Sequence, residues 1–157
     1  MTAPSFPLMP LVSSALGWLL WSLLMGALAN LLPTPLLTRE PWLLQPRPWG
    51  ESLQSYEGRL AIRHWKPWLP DAGNALPRGV AKASLVGRNR RDLERLLLET
   101  RRAELVHLSL WMFWIITPLW LPPMGVLINL LFATMFNLPC LWVQRYNRLR
   151  LQRLLDR

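Results

Sequence analysis

The chain has 157 residues, the length of one domain, and carries 18 Lys and Arg against 9 Asp and Glu, a net charge of +9. Such a charge would suit a soluble nucleic-acid binder. However, 52% hydrophobic residues, ten Trp and only 17% charged residues leave too little polar surface for a small soluble domain, so a single integral-membrane domain is expected, with the lipid bilayer and not nucleic acid as its partner.

The first 38 residues contain no charged side chain, and within them Leu11 to Leu32 supply 22 almost wholly apolar residues. As a helix these cross about 30 Å of hydrocarbon, so a first transmembrane span is expected over 11–32. It has neither the basic start of a secretory signal nor a small-residue cleavage site after it, so the expectation is that it is retained. Five prolines between Pro33 and Pro48, with Trp42 and Trp49 nearby, suggest an extended segment along the membrane interface. Between Ser52 and Leu69 the near-alternate Tyr56, Leu60, Ile62 and Trp65 fit a short strand or an irregular surface layer. Trp65-Lys66, followed by Leu69-Pro70 and Gly73, forms an aromatic and basic turn.

After Gly87 to Arg91, Asn89 with Asp92 three residues later is a variant capping box, and a helical pattern runs to about Thr117. At about 100° per residue from Leu93, Leu97, Thr100, Glu104, His107 and Trp111 all fall within about 40° of one line, while Arg102 lies opposite. Glu104 and His107 are i and i+3 and close enough to interact. Such a pair either makes structural polar contacts at the cytoplasmic mouth of a helix bundle or tunes an imidazole as a general base. A di-iron site needs a second Glu-x-x-His pair that is absent, so no metal is expected. The single cysteine, Cys140, offers neither an internal disulfide nor a cysteine-based metal site.

Residues 105–144 are uncharged apart from His107, with Pro118, Pro122, Pro123 and Gly125 near the middle. These break the helix where a turn is needed and predict a hairpin of two spans, 105–121 and 124–143, the first short enough to be re-entrant instead. Folding about residue 121.5 brings His107 level with Phe136 and Asn137. Asn129, Ala133 and Asn137 form a small and polar stripe suited to helix packing. The tail 145–157 holds five Arg and one Asp, and its Gln144 to Arg150 stretch suits lipid headgroups or a ligand's phosphate. All basic residues fall in 39–104 and 145–157, so the positive-inside pattern places the N-terminus outside and these two segments in the cytoplasm.

Glu99-Thr100-Arg101-Arg102-Ala103-Glu104 with His107, then Asn137-Leu138-Pro139 and Gln144-Arg145-Tyr146-Asn147-Arg148, resemble the glycosyl-4,4'-diaponeurosporenoate acyltransferases. The resemblance covers roughly residues 11–155. It implies a cell-membrane acyltransferase of carotenoid biosynthesis that moves a fatty acyl group to the sugar of a glycosylated carotenoid or related glycolipid. No cofactor is expected; an acyl-CoA or acyl-carrier-protein thioester is the expected donor. On the helix geometry, His107 is the candidate base, Glu104 its orienting carboxylate and Asn137 an oxyanion donor. Lys66, Arg102, Arg145, Asn147 and Arg148 are candidates for substrate binding. A His-x4-Asp acyltransferase motif is absent, since Met112 and Leu69 stand five residues after His107 and His64. The rival reading is a non-catalytic membrane subunit or assembly factor that binds carotenoid or lipid, with Glu104 and His107 as structural groups.

Overall fold

A computed structural model describes residues 8–39, 42, 44, 45, 47, 50–69 and 89–156. The expectations about the N-terminal seven residues, Trp49, Pro70, Gly73 and the turn at 87–88 lie outside this range. Among the described residues the chain is all helical: α1 (Leu8–Leu31), α2 (Thr34–Thr38), α3 (Leu53–Gly58), α4 (Ile62–Trp65), a 3-10 turn (Lys66–Trp68), α5 (Arg90–Trp111), a 3-10 helix (Met112–Leu119) and α6 (Pro123–Leu155).

Two expectations about local structure are corrected. The suggested strand in 52–69 is instead α3, α4 and the 3-10 turn. The Ser52 hydroxyl accepts from the Ser55 N–H at 3.1 Å and starts α3, and the alternating apolar residues converge on one cluster through short helices rather than a pleat. The Pro33 to Pro48 segment is not wholly extended, since Pro35 sits in the first turn of α2, where its missing N–H costs nothing.

α5 begins as the sequence predicts, with the Asn89 side chain accepting from the Asp92 N–H at 2.9 Å. It ends at Trp111 rather than near Thr117. The reason lies ahead of it: Pro118 has no N–H to donate and pushes Thr117 away from α geometry, so the preceding turns tighten to 3-10. The chain turns at Trp120 to Pro122, and α6 starts with Pro123 in its first turn.

α5 and α6 then pack as the antiparallel hairpin. Trp111 donates to the Thr134 hydroxyl at 3.1 Å, and Arg90 donates to the Leu155 carbonyl at 3.1 Å. The Asn129, Ala133 and Asn137 stripe is buried. α1 docks through indoles: Trp18 donates to Asn129 Oδ1 at 2.8 Å and Trp21 to the Ser109 carbonyl at 3.0 Å. Phe113 is buried at this contact, with Trp18, Trp21 and Trp120 around it. Gly17 allows the approach, for a Cβ there would stand 2.9 Å from the Phe113 ring tip.

The two ends of the molecule differ in surface. Leu11, Leu16, Leu20 and Leu23 on α1, Ile115 and Leu119 on the 3-10 helix, and Ile128, Met135 and Phe136 on α6 are all exposed and form an apolar girdle. α1 from Met9 to Leu31 and α6 are the two described helices long and apolar enough to cross a membrane. Beyond the girdle, Tyr56, Ile62, Val143 and Tyr146 form a buried core that joins α3 and α4 to α6.

Candidate functional site

The Arg residues of α6 meet the acidic residues of α5 and of the segment before α3 at one end of the girdle. Glu104 is fully buried, and both of its oxygens are ion-paired: Oε1 with Arg145 Nε at 2.7 Å and Oε2 with Arg148 Nε at 3.0 Å. Arg145 is a fork whose Nη1 reaches Glu51 Oε1 at 2.8 Å. Glu51 also accepts from the Tyr56 hydroxyl and from the Arg47 backbone N–H, each at 2.7 Å. A chain of charge-assisted contacts thus ties three parts of the sequence together.

Electrostatics follow from that placement. Burial pushes the Glu51 carboxyl up, but the Arg47 N–H, the Tyr56 hydroxyl and Arg145 outweigh it and hold the group below its ordinary value. Burial and the carboxylate of Glu51 raise the Tyr56 phenol well above its usual range, keeping it a neutral donor. For Glu104, burial is the largest influence and raises the carboxyl against the pull of Arg148 and Arg145. Arg148 is itself wholly buried, and neither of its terminal nitrogens has a hydrogen-bond partner among the described residues.

One turn further into the girdle, His107 Nδ1 lies 3.2 Å from Asn137 Oδ1. The Asn137 amide is oriented by its other end, because Nδ2 donates to the Ala133 carbonyl at 3.1 Å. The oxygen therefore faces the ring, and in a neutral imidazole Nδ1 carries the proton and Nε2 the lone pair.

The structure brings some predicted residues together and distributes others. His107 meets Asn137, as the folded hairpin required, while the Glu104 oxygens go to the two arginines rather than to the imidazole. Asn137 gives one of the two N–H groups of its amide to a backbone carbonyl. Lys66 donates to Asn147 and stands 5.2 Å from the centre of the Tyr146 ring. Arg102 pairs with Glu99 on its own helix. Sequence reasoning missed Glu51 and Tyr56, and also Arg101, which is buried and donates to the Leu37 carbonyl at 2.8 Å, pinning α2 to α5. Arg101 had a signal, since it lies within the Glu99 to Glu104 motif. Glu51 had none, being one acidic residue in a charged stretch.

The family model for glycosyl-4,4'-diaponeurosporenoate acyltransferase matches residues 40–157, which include every residue of this site. The chain belongs to that family. Among its relatives is a glycosyl-4,4'-diaponeurosporenoate acyltransferase of Staphylococcus aureus (strain bovine RF122 / ET3-1), 37% identical over 100 residues, 60% of this chain and 56% of the relative. One of Staphylococcus haemolyticus (strain JCSC1435) is 28% identical over 135 residues, 84% of this chain and 78% of the relative. The match to the S. aureus relative thus spans little over half of that protein's length. No solved structure matches the chain.

Proposed function

We propose that this member of the family is an integral-membrane acyltransferase that moves a fatty acyl group from an acyl-CoA or acyl-carrier-protein thioester to a sugar hydroxyl of a glycosylated carotenoid or related glycolipid. The observation that carries the proposal is the His107 to Asn137 contact, which sits where an exposed apolar girdle gives way to a buried ionic cluster. An acceptor with an apolar tail and a polar sugar places its reacting hydroxyl at such a boundary.

His107 Nε2 takes the proton of the sugar hydroxyl, and the oxygen attacks the thioester carbonyl. The tetrahedral intermediate collapses with loss of the carbon–sulfur bond, and the imidazolium returns its proton to the departing thiolate, leaving an ester and a free thiol. Asn137 acts here by holding the ring tautomer, a part for which its oxygen is aimed, and the second N–H of its amide serves the developing oxyanion. Glu104 keeps α5 in register with α6, and Arg145 and Arg148 share that task.

Three crossings fit the geometry. From Leu105 to Leu119 the chain rises about 26 Å, since seven α-helical residues contribute about 1.5 Å each and eight 3-10 residues about 2.0 Å each. This approaches the hydrocarbon thickness of about 30 Å. Residues 39–104 and the tail then lie in the cytoplasm and the N-terminus outside.

The test is acyl transfer by the purified protein in detergent or nanodiscs. His107→Gln keeps the hydrogen-bonding size but removes the base, so it is expected to lose product formation by about 10² or more while accumulating normally. Equal turnover by wild type and His107→Gln would remove the role given to His107. Failure of the wild type with either class of thioester would favour the non-catalytic lipid-binding subunit.

A further inference from the structure

Where α6 leaves the girdle, cations gather around one ring. Tyr146 follows Val143, the last apolar residue of the uncharged stretch, by three residues, about 4.5 Å of helix rise. Lys66 Nζ and the Arg150 guanidinium stand 5.2 and 5.6 Å from the centre of that ring, and Arg63 Nε donates to its hydroxyl at 3.4 Å. Arg150 reaches back to the ring because side chains on a helix lean toward its N-terminus, here toward the girdle. Beside them α3, α4 and the end of α6 enclose an open groove of about 600 Å³, lined by Leu53, Glu57, Arg63, Arg150 and Arg153 among others. Glu57 is the one carboxylate of that lining, and it is already engaged by Arg63 at 2.7 Å and by the Tyr146 hydroxyl at 2.8 Å. Arg150 and Arg153 lie at i and i+3, both exposed, and neither makes an ion pair among the described residues. The groove thus keeps two guanidinium groups whose geometry suits phosphate.

Depth and direction say which phosphate. The headgroup layer adds roughly 5–8 Å on each side of the hydrocarbon, so the Tyr146 ring and the cations on it lie within it. Trp68 marks the same level, two residues after Lys66, and its indole is 88% exposed. So open an indole suits the membrane interface, where its ring meets the acyl boundary and its N–H the headgroups. Arg150 and Arg153 lie about 140–160° round α6 from Asn137, so the groove opens away from His107 and toward the surrounding bilayer. Phe132 and Met135, exposed in the girdle, precede Arg150 and Arg153 by 18 residues, five whole turns, and share their face. Between the two levels α3 and α4 cover this face at Val143 and Tyr146, forming a shelf at headgroup depth.

We propose that this shelf and groove seat the phosphate of an anionic glycerophospholipid of the cytoplasmic leaflet. Arg150 and Arg153 hold the phosphate, Arg63 with Glu57 forms the opposite wall, and Lys66 and Trp68 fix the shelf at the interface. The proposal rests on the three-crossing reading of the chain and is independent of which acyl donor is used.

The test uses the full-length protein reconstituted in phosphatidylcholine nanodiscs that hold a minor share of phosphatidylglycerol, with the lipid retained on release into mild detergent counted by native mass spectrometry. Wild type is expected to retain phosphatidylglycerol in preference to phosphatidylcholine. Arg150→Gln/Arg153→Gln should lower that preference about tenfold or more, the scale of two arginines beside an anionic membrane. Arg91→Gln/Arg95→Gln removes the same charge from exposed positions of α5 outside the groove and should leave it unchanged. Equal losses in the two variants would reduce the effect to general surface charge and overturn the seat, as would retention of both lipids in proportion to their supply. Displacement of phosphatidylglycerol by glycerol 3-phosphate at the same concentration would assign the groove to a soluble phosphate and overturn the lipid assignment. A protein that does not enter the bilayer would remove the crossings and the seat together, whereas entry without lipid preference removes the seat alone. Both groove arginines are exposed, so thermal unfolding of their variant is expected to match wild type and to separate lost binding from misfolding.

Discussion

Glu104→Gln removes one charge from the most buried ionic contact of the protein. The carboxylate is fully buried and accepts from Arg145 at 2.7 Å and Arg148 at 3.0 Å, and Arg148 is wholly buried. The amide retains one acceptor but turns an N–H toward a guanidinium, and Arg148 then has no carboxylate beside it. Removing one member of a buried pair in this way costs about 3–5 kcal/mol. At about 2–4 °C per kcal/mol for a chain of this size, the melting temperature should fall by roughly 6–20 °C. Thermal unfolding of detergent-solubilised protein, followed by tryptophan fluorescence, measures it. Glu99→Gln breaks the partly exposed pair with Arg102 and serves as the control, with an expected cost under about 1 kcal/mol. Adding Arg148→Met to Glu104→Gln should recover part of the loss, giving a coupling of about 0.5–3 kcal/mol. A Glu104→Gln protein no less stable than Glu99→Gln would refute the reasoning.

Gly17→Leu should lift α1 from the hairpin at Phe113, lowering stability by about 1–3 kcal/mol and abolishing a disulfide between cysteines placed at Trp18 and Asn129 in a Cys140→Ser background. In the same background, single cysteines at Ser5, Ser84 and Gln152 should react with an impermeant reagent on intact cells only at Ser5, and labelling at either other site contradicts the three-crossing topology. Glu51 titrates below its ordinary value in the folded protein, so its stabilising contribution is present at neutral pH and lost as pH falls through its lowered folded pKa; acid unfolding of Glu51→Gln should show a flatter pH dependence there than wild type.

Register across the hairpin was legible from residue counting, because in an antiparallel pair depth is set by distance from the turn. The contact between His107 and Asn137 folds the chain about residue 122, beside the expected 121.5, and Trp111 with Thr134 gives 122.5. The stripe of Asn129, Ala133 and Asn137 and the cap at Asn89 were readable for the same local reason: helical periodicity and backbone donors act over a few residues. The tight turns before Pro118 also had a local cause, though the periodic pattern masked it.

What the tertiary structure decided is which charges meet. Counting along α5 places Glu104 near His107, but its oxygens go to Arg145 and Arg148, whose long side chains reach across from α6. The fork of Arg145 closes on Glu51, 94 residues away, only because α3 and α4 pack on Tyr146 and Val143 and carry the preceding turn inward. Local propensity and hydrophobic patterning specify helices and their buried faces. The partner of a buried charge depends on how several segments of distant sequence dock, and no spacing along one helix contains that information.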